Sequence, residues 1–368
     1  MNRVFKTKWS VAHQEYIVTD EHHANKGKAA KSAVALVLSA LMLGAGVASA
    51  AYMDPGFVAK NSTQLEQAKQ SWETQEYKKD WGLTAMNAST AYALGFHGQN
   101  TAVAVMDSAA LLQKHPELAG DRFHASHASG VYGSTGNRYQ TGASGVGDAF
   151  NNGDYKEGEA FDVDGNWVGH VNDTHGTHVT GTVGANRDGS EFHGVSWGSD
   201  IWVGTTGGTD NTNYGPFQDY NFFYAGWKAL ADNLVAANGA ERGGVINNSF
   251  GTNLRVDAGG TSLSTNTTAE TEYEYFLFKK VYGDKKSFVD AAWDAVKGTN
   301  VVQVFTTGNR NMKMPYYRPL YPYFNPEAEK NWIAVAGLQK DGVGTDGKDK
   351  YKWSIISMRL VTLNGGPL

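Results

Sequence analysis

The 368-residue chain contains no cysteine. That absence removes disulfide staples, thiolate metal centres and a cysteine nucleophile, so any metal binding or covalent catalysis falls to serine, histidine and the carboxylates. An excess of positive charge is missing too. Lys and Arg number 32 against 37 Asp and Glu, for a net charge of -5, and no run interleaves basic with aromatic residues, so a nucleic-acid partner is not expected. The apolar run at 33–47 is shorter than the roughly 20 residues needed to cross a bilayer. What the chain has in quantity is glycine, 44 residues, in a composition 41% hydrophobic and 19% charged. This is globular composition with many turns, and one large core or two domains would both fit.

The apolar run is preceded by Lys26, Lys28 and Lys31 and followed by Ala48-Ser49-Ala50. A basic start, a short apolar middle and small residues at the end make a secretory signal, with cleavage expected after Ala50 and a mature chain secreted or held at the cell surface. A simple signal does not need the polar residues 1–23 that come first. They resemble the extended signal peptides of Gram-negative autotransporters, here Met1-Asn2-Arg3-Val4-Phe5-Lys6 with Trp9-Ser10 soon after; a misassigned start codon is the plain alternative.

Residues 51–80 form an N-terminal lead-in segment with helical spacing in STQLEQAKQSWETQEY, capped by Ser62 or Thr63. Beyond it, β-branched apolar runs at 101–107, 200–206, 243–251, 300–309 and 331–338 read as strands buried on both faces. Helices are expected at 88–94, 178–185, 224–238 and 287–297. The alternation predicts an α/β fold with a mainly parallel sheet flanked by helices. Such sheets bind ligands at the carboxyl ends of their strands, where Asp107, Asn248 and Asn309 fall. Glycine- and asparagine-rich stretches at 124–152, 207–214 and 257–268 read as surface loops, and none repeats at a fixed period.

The stretch DTHGTHVTG, residues 173–181, sets His175 and His178 three apart with Gly176 after the first. A zinc helix needs a spacing of four and a glutamate after the first histidine, so a metal pair is disfavoured. His178, followed by Val179, Thr180 and Gly181, reads as a packed helix residue. His175 precedes a Gly-Thr step at a helix start, where an imidazole can face a cleft. A histidine base needs an orienting carboxylate and a nucleophile. Asp107 closes a strand, and alone it would pass for a turn residue or cap.

VAVMDSAALLQKHPELAG followed by DTHGTHVTGTVGANRDGSEFHGVS resembles, in content and order, the Asp and His motifs of the subtilases, the subtilisin-like serine peptidases. The resemblance spans about residues 80 to 340 and implies two further segments. One is a substrate strand that pairs with an extended peptide, matched by Asn248, Ser249, Phe250 and Gly251. The other ends in Gly-Asn, whose side chain supports the oxyanion, matched by Asn309. Two departures stand out: Ala109 where the family has Gly, which puts a Cβ in a tight turn, and Thr306-Thr307 where it has Ala-Ala.

A third implied segment does not appear. The family's serine lies in Gly-Thr-Ser-x-Ala-x-Pro after the Gly-Asn strand, and nothing after Asn309 resembles it. Gly260-Thr261-Ser262 precedes that strand and reads as loop; Ser354 and Ser357 lack the preceding Gly-Thr. The resemblance therefore implies a secreted serine endopeptidase acting on polypeptides, with a domain over 81–350 incomplete at its C-terminus and an aberrant tail over 351–368, the frame breaking near Trp353-Ser354. In that form little or no activity is expected. A peptide-binding pseudopeptidase is the alternative, and a metal-dependent hydrolase using His175 and His178 a third reading. The family often binds structural calcium. The acidic stretch 162–173 is a candidate, but its glycine is not at the sixth position of a calcium loop. Outer-membrane association would require a translocator domain that these residues do not contain.

Overall fold

The computed structural model describes residues 6–10, 15–19, 54–137, 154–169, 172, 174–207, 219–250, 285–308 and 318–353. It divides into two units, residues 1–51 and 52–368. The first unit holds an antiparallel pair, β1 (Lys6–Ser10) with β2 (Glu15–Thr19).

The second unit opens on short helices: α1 (Leu65–Trp72), α2 (Gln75–Lys79), α3 (Trp81–Ala85) and α4 (Ala88–Ala93). The lead-in is helical as its spacing predicts, but the cap differs. Asn61, not Ser62 or Thr63, accepts a hydrogen bond from the Gln64 N–H, because its carboxamide reaches the third residue of the turn.

Strands β3 (Ala102–Asp107) and β4 (Phe123–Ala125) follow, then β5 (Ala128–Val131), β6 (Gly136–Asn137), β7 (Asp154–Tyr155) and β8 (Ala160–Val163). Helix α5 (His175–Gly184), β9 (Asp200–Thr205), α6 (Tyr220–Asn238) and β10 (Gly244–Asn248) come next. The chain continues through α7 (Phe288–Asp294), β11 (Val301–Thr306), α8 (Tyr321–Phe324) and β12 (Trp332–Val335) to a hairpin of β13 (Leu338–Val343) and β14 (Asp349–Trp353).

Six strands form one sheet in the order β12-β11-β10-β3-β9-β4, and every pairing in it is parallel. Strand β3 explains the pattern. Alternate side chains point to opposite faces, so Ala102, Ala104 and Met106 enter the core beneath α6 and α7, while Val105 enters the one beneath α5. A strand covered on both sides needs an unbroken apolar run, which is what residues 101–107 supply. A third cluster, around Trp72, Tyr77 and Tyr92, joins the lead-in helices to Val195 and Trp197.

The expectation of a loop over 124–152 is corrected for its first part. Residues 123–125 form β4 on the sheet edge, and β5 pairs with β8 as β6 does with β7, all antiparallel apart from β4. Aromatic side chains hidden in polar sequence cause this: Tyr132 stacks on Tyr155 at 4.2 Å and lies against Phe161 and Phe222. Strand β14 passes through residue 350, the boundary expected for the tail. The loops expected at 208–214 and 257–268 lie outside the described residues.

Candidate active site

Asp107 is the last residue of β3, at the carboxyl edge of the sheet, and is fully buried. Its main-chain carbonyl accepts the Thr206 N–H at 2.7 Å, which ties the end of β3 to the end of β9. Its Oδ1 accepts the Ser108 N–H at 2.8 Å and lies 2.9 Å from His175 Nδ1. An ionised carboxylate only accepts, so Nδ1 carries the proton of this bond. The imidazole is the first residue of α5, and 36% of its side chain is exposed. One partner is thus held in the interior while the other reaches the surface.

Residues that the motifs did not single out hold the pair together. Ser108 Oγ accepts the Gly176 N–H at 2.9 Å, and Thr177 Oγ1 accepts the Leu111 N–H at 3.0 Å. These bonds cross-link the turn after Asp107 to the first turn of α5. Gly176 is required there, because a Cβ would sit 2.2 Å from the Ala109 carbonyl oxygen. Residues 165–167 run along the far side of the turn, where Ala110 N–H donates to Gly165 and Trp167 N–H donates to Ala110. Ala109 itself has φ +69° and is fully buried, the conformation for which the family's glycine is suited. Hydroxyls next to the Asp and His motif residues were the available signal for Ser108 and Thr177, but the partners they select lie more than 60 residues away.

His178 lies one turn further along α5 and is exposed, not packed as expected, because this helix buries the face bearing Val179 and Thr180. Among the described residues no three His, Asp or Glu side chains gather as a metal cage. In the acidic stretch weighed for calcium, Asp162 bonds His127 at 2.6 Å and Asp164 accepts the Asn166 N–H, so these carboxylates face protein donors.

Asn248 ends β10, but its side chain is fully buried and bonded inward, so it is not a side-chain contact for a ligand. Ser249 accepts a bond from Asn247 at 2.9 Å, and the Phe250 ring is buried with the Arg318 guanidinium 4.6 Å from its centre. Gly251 and Asn309 lie outside the described residues. The approach to Asn309 is described: Thr307 is buried and its N–H donates to the Val335 carbonyl, and Gly308 turns the chain at φ +112°.

The structure defines the class as an α/β domain, with an imidazole held by a buried carboxylate at the carboxyl edge of a parallel, helix-flanked sheet. Residues 98–363 match the subtilase family, and the chain belongs to it. Over 313 residues it is 26% identical to an extracellular serine protease of Serratia marcescens, an alignment covering 79% of this chain and 24% of that protein. Over 108 residues it is 29% identical to the Neisserial autotransporter lipoprotein NalP of Neisseria meningitidis serogroup B, covering 27% of this chain and 10% of the relative. The chain spans about a quarter of the length of the Serratia proteins it matches.

Proposed function

We propose that Asp107 and His175 are the orienting acid and general base of a secreted, subtilisin-like endopeptidase. The observation that carries the reading is the 2.9 Å contact from His175 Nδ1 to the buried Asp107 Oδ1. With the proton fixed on Nδ1, Nε2 is the atom that takes a proton from a serine hydroxyl as its oxygen attacks the peptide carbonyl. Asp107 then stabilises the imidazolium, and Asn309 donates to the oxyanion. The main chain of Ser249, Phe250 and Gly251 pairs with the extended substrate. The leader, residues 1–50, is removed after Ala50, residues 51–80 lead into the peptidase region, and the mature chain acts outside the cell or at its surface. An extracellular protease and an autotransporter among the relatives support that location.

No serine of the 368 residues stands in the family's Gly-Thr-Ser pattern after Asn309, so this sequence alone is expected to turn over little or no peptide. The test uses a peptide ester and a fluorophosphonate probe. The purified chain is expected to show neither turnover nor a labelled serine. Extension beyond Trp353 with the serine segment of the Serratia relative is expected to give turnover that falls by on the order of a millionfold in His175→Ala. A single labelled serine within residues 51–368 of the unextended chain, with turnover, would overturn the inactivity. Turnover of the extended chain that survives His175→Ala would overturn the base assignment.

A further inference from the structure

Three polar side chains meet in the interior between the sheet and its covering helices. Trp227 of α6, Asn248 at the end of β10 and Gln303 of β11 are each 0% exposed. Trp227 Nε1–H donates to Asn248 Oδ1 at 2.8 Å. Asn248 Nδ2 donates to Gln303 Oε1 at 2.9 Å and to the carbonyls of Ile246 and Val304 at 3.1 and 3.3 Å. Gln303 Nε2 donates to the Ala292 carbonyl of α7 at 3.0 Å. Both carboxamides are therefore satisfied at oxygen and nitrogen, and four elements are joined through them.

The surrounding interior is apolar: Ile246, Phe288, Val301 and Phe305 belong to the same core. Apolar side chains of similar size would fill the space without the desolvation of three polar groups. What the polar chain adds is direction. Apolar packing tolerates small slides, whereas a displacement of β10 along β11 would leave Trp227, Asn248 and Gln303 unpaired together. Those two strands, side by side with Asn248 opposite Phe305, deliver the two halves of the substrate face. Strand β10 runs out into Ser249 and Phe250, and β11 into Thr307 and Gly308.

We propose that the Trp227–Asn248–Gln303 chain is a positioning device that sets the relative height of the main chain leaving β10 and β11. Asn248 is then a positioning residue acting through the backbone, not a group that touches substrate. The purpose assigned to the device rests on the peptidase reading, while its effect on the two chain ends can be measured without it.

The experiment compares the full chain with Asn248→Leu and with the triple variant Trp227→Phe, Asn248→Leu, Gln303→Met. The single variant strands two buried polar groups and is expected to lower the thermal midpoint. The triple variant leaves no side chain of the three unpaired, at the cost of the Gln303 bond to the Ala292 carbonyl, and is expected to recover much of the midpoint lost in the single variant. Amide hydrogen exchange at Ser249, Phe250 and Gly308 is expected to quicken on the order of tenfold in the triple variant despite its recovered midpoint. Affinity for a fluorescent extended oligopeptide is expected to fall with it. Exchange at those amides unchanged from native would overturn the proposal, because the groups would then serve packing alone. A native chain that binds no peptide, with exchange still quickened in the triple variant, would instead count against the substrate-strand reading. Should the triple variant fail to fold, Gln303→Met keeps the Trp227 and backbone bonds of Asn248 and carries the same exchange comparison.

Discussion

Ala109 holds a left-handed conformation two residues past the end of β3, at φ +69°. For an L-residue that conformation costs roughly 1–2 kcal/mol. Its buried methyl group returns about 0.8 kcal/mol, and glycine in its place would cost about 0.4–1 kcal/mol by loosening the unfolded chain. These terms nearly cancel, which explains how alanine stands where the family has glycine. Ala109→Gly is expected to change stability by less than about 1 kcal/mol, whereas Ala109→Val, β-branched at positive φ, is expected to cost more than about 2 kcal/mol. Urea denaturation of both variants checks this, and a valine variant as stable as native would remove strain from the account. At this scale the motif order was enough to single out Asp107 and His175, whose side chains meet at 2.9 Å. It could not reveal the Ser108 hydroxyl on the Gly176 N–H, a contact made only when residues 68 apart are folded together. Nor could it distinguish an Asn248 aimed at substrate from one aimed inward, since alternation along a strand covered on both faces does not say which polar residue finds buried partners.

Elements with continuous apolar runs were legible for a physical reason: strands inside a parallel sheet are covered on both faces and need such runs. Strand β4 and the β5–β8 pairings were not, because glycine, serine and histidine dominate there and the stabilising rings come from distant positions. The lead-in helices give a further case. Their spacing was visible, but the group that fastens them was not. Arg187, three residues past α5, pairs with Asp54 through Nε at 2.6 Å and Nη2 at 2.9 Å while its side chain is 1% exposed. Its guanidinium also lies 5.1 Å from the Trp72 ring centre. A two-pronged pair with a buried guanidinium and a partly exposed carboxylate is lost as a unit, so Arg187→Ala is expected to destabilise the chain by on the order of 2 kcal/mol and to expose the segment around Lys60 to trypsin. An unchanged denaturation midpoint and cleavage rate would mean that the aromatic contacts alone hold the lead-in.

For the molecule as a whole, acid sensitivity follows from a histidine with no part in the candidate site. His193 is fully buried, its Nδ1 bonds the Gly194 carbonyl, and the rings of Tyr77 and Tyr92 lie about it. Burial disfavours the charged ring and pushes its pKa from 6.5 down to about 4. The unfolded chain takes up a proton below 6.5 that the folded chain refuses until about 4. The stability contribution is therefore full above that window and is lost as pH falls through it, by about 3 kcal/mol. Burial lowers His97 and His115 in the same direction. It raises Glu76 and Glu117, which act oppositely, losing stability as pH rises above 4.5. The thermal midpoint is expected to climb between pH 4 and pH 6.5, and less steeply in His193→Leu; equal slopes for both proteins would assign the acid sensitivity elsewhere.

The strand order β12-β11-β10-β3-β9-β4 also records a history. The first strand made is central. Strand β4 waits for β9 to come between it and β3, so one flank closes once residue 205 has emerged. On the other flank β10, β11 and β12 are added outward in chain order, each on the edge left by its predecessor. A chain delivered N-terminus first can therefore assemble by accretion, and an interruption leaves a narrower sheet instead of a scrambled one. Among the described strands β12 is the last on that flank, and it shows Ile333 and Val335 50% and 48% exposed, the kind of edge to which another strand can add. Sedimentation should therefore find growing oligomers as concentration rises, and fewer in Ile333→Lys with Val335→Lys; equal association in both would show that growth stops at β12 by other means.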